Sequence, residues 1–132
     1  MWGPMKKTLN LLLVDDHEAF LNAARRHFRN VPWLNVVDQA LNGLEAIAKT
    51  EALKPDVVLM DLAMPEMGGL QATRLIKAQT DPPHVFIASH FDDPEHRELA
   101  ARAGADGFVS KLNYVQEVMA FLTALVGEQS HV

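Results

Sequence analysis

Residues 55–70 read PDVVLMDLAMPEMGGL. Four apolar residues, Val57 to Met60, lead straight into Asp61, and a proline and two glycines follow. A short apolar run bounded by turn-forming residues is the pattern of a strand buried on both faces, as in the middle of a parallel sheet. A carboxylate at the mouth of such a strand is costly unless something compensates its charge. The compensation has to come from elsewhere in the chain.

Working outward, strands alternate with helices. Leu9 to Val14 is a second apolar run, and Leu34 to Ala40, Val85 to Ala88 and Gly107 to Ser110 read as three more strands. Between them, Glu18 to Asn30 carries apolar residues at helical spacing, with Pro32 as the break. Asn42 with Glu45 three residues later opens a helix that stops near Leu53, before Pro55. A helix from Gly69 to about Ala78 follows the glycines. Asp93 followed by Pro94 is a cap with proline at the first helical position, and that helix ends near Gly104. Asn113 with Gln116 opens a last helix reaching about Val126. Five βα units in series predict an α/β fold, a parallel sheet covered on both faces.

A chain of 132 residues, nearly half of them apolar, fits one domain with a proper core. Residues 1–6 are expected to be an extension, 7–127 the domain and 128–132 a tail. With 12 basic and 17 acidic residues, the net charge of −5 argues against direct nucleic-acid binding by this domain. The absence of cysteine excludes disulfides, thiolate metal sites and a cysteine nucleophile, and fits a cytoplasmic location. No segment has the length of a transmembrane helix, so no membrane association is expected.

Ligands of open parallel sheets bind beyond the carboxyl ends of the strands. This chain places Asp15 and Asp16, Asp61, Ser89 and Lys111 there. Three carboxylates repel one another unless a cation joins them, and hard oxygen donors favour Mg2+ or a similar ion such as Mn2+. No histidine is spaced to make a zinc set, and HEAFL lacks the second histidine of a zincin. Metal, lysine and hydroxyl together suit a phosphoryl group, with one carboxylate as its nucleophilic acceptor.

The stretches LLLVDDHEAF, DVVLMDLAMPEMGGLQATRLIK and GADGFVSK resemble the receiver domain of bacterial two-component response regulators, over about Leu9 to Leu125. DDPEHRELAARAGADGFVSK is most similar to receivers joined to LuxR-type DNA-binding domains. The resemblance implies a doubly wound, flavodoxin-like (βα)5 fold with strand order 2-1-3-4-5, an order that the general rule for this topology already gives for receivers. It implies Asp61 as phosphoacceptor, Asp15, Asp16 and the backbone carbonyl of Ala63 as metal ligands with Asp61, and Lys111 on a phosphoryl oxygen. Ser89 and Phe108 match the switch pair, and Pro65 and Gly69 shape the loop after Asp61. A sensor histidine kinase is the implied donor and a homodimer a possible consequence of phosphorylation. With no effector domain in the sequence, a fragment of a transcription regulator is expected. The chain is expected to be a switch rather than a turnover enzyme.

Some positions depart from the commonest receiver pattern. Leu112 follows Lys111 where many receivers have proline, and a cis bond is much costlier without it. His90 is expected to narrow access to Asp61, and Phe91 to influence phosphoryl lifetime. Ala63 has no side chain with which to position an attacking water, so slow self-dephosphorylation is expected. Taken singly, each residue has a plain alternative. Asp15 or Asp16 caps the first helix, Asp61 makes a turn, Lys111 is solvated, Ser89 bonds locally, Phe108 is core, and the histidines at 17, 27, 84, 96 and 131 lie at the surface. Those alternatives would all have to coincide at one edge. An aspartate-nucleophile phosphatase would need a second acid at Ala63, and a flavodoxin-type binder would not carry Asp15, Asp16, His17 and Glu18 in its phosphate loop.

Overall fold

The structure, a computed structural model, describes residues 8–64 and 66–130, with side chains through 127. The expected extension at 1–6, Pro65 and residues 131–132, His131 among them, lie outside the described residues.

Five strands alternate with five helices: β1 (Leu9–Val14), α1 (Glu18–Phe28), β2 (Leu34–Ala40), α2 (Gly43–Leu53), β3 (Val57–Asp61), α3 (Gly69–Lys77), β4 (His84–Ser89), α4 (Pro94–Arg102), β5 (Gly107–Ser110) and α5 (Tyr114–Ser130). All pairings are parallel, and the sheet order is β2-β1-β3-β4-β5. The apolar runs at Leu9–Val14 and Val57–Met60 thus occupy the interior of the sheet, while β2 and β5 form its edges.

Strand alternation sends successive side chains to opposite faces. Leu9, Leu11 and Leu13 join Leu59, Phe86 and Val109 against Leu21 and Phe28 of α1 and Val118 and Leu122 of α5. Leu12, Val14, Met60 and Ile87 pack on the other face, against Ala46, Ala72, Ile76 and Ala100 of α2, α3 and α4. Both faces of the sheet are therefore dry.

Two of the three helix caps read from the sequence are made, those at Asn42 and Asp93, whereas Asn113 lies inside a 3₁₀ turn. Asn42 Oδ1 accepts from Glu45 N at 2.9 Å, and Asp93 Oδ1 accepts from His96 N at 2.8 Å, with Pro94 beginning the helix. Two expectations need correction. The last helix runs to Ser130, past the expected end near Val126 and over residues 128–130 of the expected tail. Before it, Lys111–Asn113 forms a 3₁₀ turn whose cap is Ser110, its Oγ accepting from Leu112 N at 3.3 Å. A one-turn 3₁₀ segment has no hydrophobic period by which to be read. Among the described residues no peptide is cis, and no helix is long and apolar enough to cross a membrane.

Candidate functional site

Strand register explains why the acids meet. Leu13 lies beside Leu59 and Val14 beside Met60. Continuing that register by one residue brings Asp15 alongside Asp61, both on the face that carries α1 and α5. Asp61 in turn pairs with Ala88, and Ser89 with Ser110. Lys111 is the next residue, so three neighbouring strands deliver an acid, a hydroxyl and an ammonium to one edge.

The 3₁₀ turn carries Lys111 inward rather than out. Its Nζ lies 2.6 Å from Asp15 Oδ2 and 3.0 Å from Asp61 Oδ1, with only 4% of the side chain exposed. The ammonium also sits 4.6 Å from the centre of the Phe20 ring. Phe20 stacks edge-on against Tyr114 at 4.8 Å. This apolar floor excludes water beneath the ion pairs. Burial works to lower the Lys111 pKa, but the hydrogen bonds and charges of Asp15 and Asp61 outweigh it and raise it. Leu112, at 80% exposed, swings outward from the same turn.

Asp61 is buried, and its pKa is pushed up to about 6. Desolvation is the main cause, the Asp15 charge adds to it, and Lys111 offsets only part. The Tyr114 hydroxyl is held above its ordinary value by burial and by the same two carboxylates.

The loop after Asp61 turns sharply. Leu62 N donates to Ala88 O at 3.0 Å, and Gly69 N donates to Leu62 O at 2.8 Å. A Cβ on Gly69 would fall 2.2 Å from the Asp61 carbonyl oxygen. Only glycine permits α3 to start so close to the end of β3.

A cavity of about 100 Å³ opens over Asp61, lined by His17, Ala63, Ser89, His90, Phe91 and Lys111. Ala63, His90 and Phe91 thus lie at the mouth, with Phe91 stacked on His96 at 5.3 Å. The Ser89 hydroxyl accepts from Phe91 N at 2.9 Å. Phe108 is not part of this cavity. It is buried against the α2–α3–α4 face, under the Arg97 guanidinium at 4.9 Å.

Asp15, Asp16, His17 and Asp61 offer ligand atoms within 4.8 Å of one another. Asp16 Oδ1 is buried and accepts no hydrogen bond. Three carboxylates with one orphaned oxygen fit a hard divalent cation, which satisfies that oxygen and offsets the mutual repulsion. Neither aspartate caps α1. The cap position is His17, and Asp15 Oδ1 accepts from its backbone N at 2.9 Å.

Three contacts escape sequence reading. His17, expected at the surface, is 71% exposed, yet its Nδ1 lies 3.1 Å from Asp15 Oδ1 and 3.2 Å from Asp16 Oδ1. An extended backbone at residue 17 folds the ring back over the acids, a placement that no spacing in the sequence marks. Phe20 under Lys111 and Arg97 over Phe108 bring together residues distant in sequence, with no motif to mark them.

The family model for the response regulator receiver domain matches residues 11–123. Response regulator UvrY of Escherichia coli O6:H1 is 36% identical over 125 residues, covering 94% of this chain and 57% of that protein. Response regulator GacA of Pseudomonas viridiflava is 40% identical over 104 residues, covering 78% of this chain and 48% of that protein. The chain spans about half the length of the curated relatives it matches. Among solved structures, a LuxR-family two-component response regulator from Aurantimonas sp. SI85-9A1 superposes with a TM-score of 0.85 at 30% identity, covering 92% of this chain and 86% of that one. The receiver domain of the response regulator NarL from Mycobacterium tuberculosis gives 0.84 at 28%, covering 92% and 98%.

Proposed function

Because this chain belongs to the response regulator receiver family, we propose that it is a phosphorylation switch in which Asp61 accepts a phosphoryl group from a sensor histidine kinase in the cytoplasm. The observation that carries this reading is the cluster of Asp15, Asp16 and Asp61, two of them paired with the buried Lys111, beneath an open cavity that reaches the Asp61 carboxylate.

Asp15, Asp16, Asp61 and the Ala63 carbonyl would hold Mg2+ or Mn2+. When bound, the ion supplies positive charge that neutralises phosphoryl oxygens and the acids themselves. An Asp61 carboxylate oxygen forms the new O–P bond as the N–P bond of the donor phosphohistidine breaks, and the electron pair leaves with the donor imidazole nitrogen. Lys111 is prepositioned for a phosphoryl oxygen, since it already contacts Asp61. The low-dielectric floor under Lys111 makes that charge count for more than it would in water. The cavity is small and partly apolar, which limits access by water once the group is in place.

Ser89 and Phe108 form the readout. The Ser89 hydroxyl is held by a single backbone N–H, that of Phe91. Turning it toward a phosphoryl oxygen would free the β4–α4 loop and reposition Phe108 with α4, biasing a two-state equilibrium. The output follows the LuxR-type relatives: a DNA-binding effector elsewhere in a longer protein, with dimerisation on phosphorylation.

The test is incubation with Mg2+ and acetyl phosphate, then intact mass and peptide mapping. A gain of one phosphoryl group on the Asp61 peptide, absent in Asp61→Asn, is expected. Absence of any gain in the wild type, or a gain retained by Asp61→Asn, overturns the assignment.

A further inference from the structure

We propose that His17 is a nitrogen ligand of the acidic site and tilts its metal preference from Mg2+ toward transition ions such as Mn2+, Co2+ and Ni2+. The inference rests on the reading of Asp15, Asp16 and Asp61 as a divalent-cation site, and deepens it by assigning the ion class.

Three observations on His17 carry it. First, His17 holds the cap position of α1 with extended backbone, but its side chain makes no capping bond. The ring is turned back over the acids instead. Second, its Nδ1 is hydrogen-bonded to Asp15 Oδ1 at 3.1 Å and lies 3.2 Å from Asp16 Oδ1. An octahedral ion with bonds of about 2.1 Å sets adjacent ligand atoms about 3.0 Å apart and opposite ones about 4.2 Å apart. The two distances match adjacent corners, and the four donors, within 4.8 Å of one another, need to close in only slightly to reach the opposite-corner spacing. Third, Asp16 Oδ1 is buried and lies within ion-pair distance of Nδ1, yet accepts no hydrogen bond from it. The Nδ1–Asp15 hydrogen bond holds the ring over the orphaned Asp16 oxygen, and a cation at this point takes the place of the Nδ1 proton, which moves to Nε2 in the neutral ring.

The chemistry sets the preference. Mg2+ takes oxygen donors and gains little from imidazole, whereas first-row transition ions bind nitrogen more strongly along the Irving–Williams order. The ring sits on the outer rim of the site, 71% exposed, so waters have room to finish the coordination shell.

Two measurements test the assignment. Calorimetric titration with MgCl2, MnCl2, CoCl2 and NiCl2 compares the wild type with His17→Ala and His17→Gln. The substitutions are expected to weaken Co2+ and Ni2+ by about tenfold or more, and Mg2+ by about twofold or less. Pulsed EPR of the Mn2+ form is expected to show a directly bound nitrogen that is lost in both variants. Labelling wild-type histidine with 15N changes the coupling without any substitution, so the test survives a variant that fails to fold. Equal weakening for all ions, or no nitrogen coupling, overturns the His17 assignment and leaves the carboxylate site standing. If the wild type binds none of these ions, or Asp16→Asn binds them as well as the wild type does, both this inference and the cation-site reading fall.

Discussion

Lys111 Nζ bridges Asp15 Oδ2 at 2.6 Å and Asp61 Oδ1 at 3.0 Å, joining the ends of β1 and β3 through a residue that follows β5. Breaking a buried pair from one side leaves charge without compensation. Lys111→Met is therefore expected to lower stability by about 3 kcal/mol at neutral pH in EDTA. The loss should shrink toward pH 5, where a carboxyl takes up a proton. The Lys111→Met, Asp61→Asn pair should lose much less than the sum of the single changes. Urea melts of the four proteins measure this directly, and simple additivity would refute the coupling.

The raised Asp61 pKa makes a prediction with a definite sign. Folded Asp61 titrates at about 6, above its ordinary value of 3.8. Between these values the folded chain holds a proton that the unfolded chain has released. Stability of the metal-free protein therefore falls as pH rises through that window. Asp61→Asn removes the ionisation but also the contact with Lys111, so a net gain on the order of 1 kcal/mol is expected at pH 7 in EDTA. The variant should also lack the downward slope. A variant less stable than the wild type, or with the same slope, contradicts the assignment.

Divalent cation should reverse that penalty. Binding to the folded state alone stabilises by mass action, about 2.7 kcal/mol at a hundred times the dissociation constant. Thermal melts in MgCl2 should rise with concentration for the wild type. The rise should be blunted in Asp16→Asn and abolished by EDTA.

Gly69 tests the backbone around Asp61. A methyl at this position would collide with the Asp61 carbonyl oxygen at 2.2 Å. Gly69→Ala is expected to cost about 2 kcal/mol by forcing the start of α3 away from β3. It should also slow phosphorylation by acetyl phosphate by displacing the carboxylate. Unchanged stability and rate would show that the loop relaxes freely.

Phosphoryl lifetime depends on the cavity mouth. Ala63, His90 and Phe91 line it, and the Ala63 methyl has no polar atom to orient a water. The phosphorylated form is expected to persist for minutes or longer in magnesium buffer, and Ala63→Asn to shorten that lifetime. Decay within seconds in the wild type, followed by phosphate release, would refute this.

The sequence by itself determined the order and type of the elements. Val57 to Met60 and Leu9 to Val14 are too apolar for anything but buried strands, and Asn42 and Asp93 mark helix starts by hydrogen bonds made within three residues. It also marked the acids, Ser89 and Lys111 at one sheet edge, because the carboxyl ends of parallel strands all point the same way. Tertiary structure decided what those groups meet. The inward turn of Lys111 depends on Ser110 capping a 3₁₀ turn and on Phe20 lying beneath the ammonium. The aim of the His17 ring depends on a backbone angle, and the seat of Phe108 on Arg97 from another helix. Local signals arise from bonds between near neighbours and leave a spacing in the chain. Burial, register and side-chain direction arise from packing between segments far apart, and leave none.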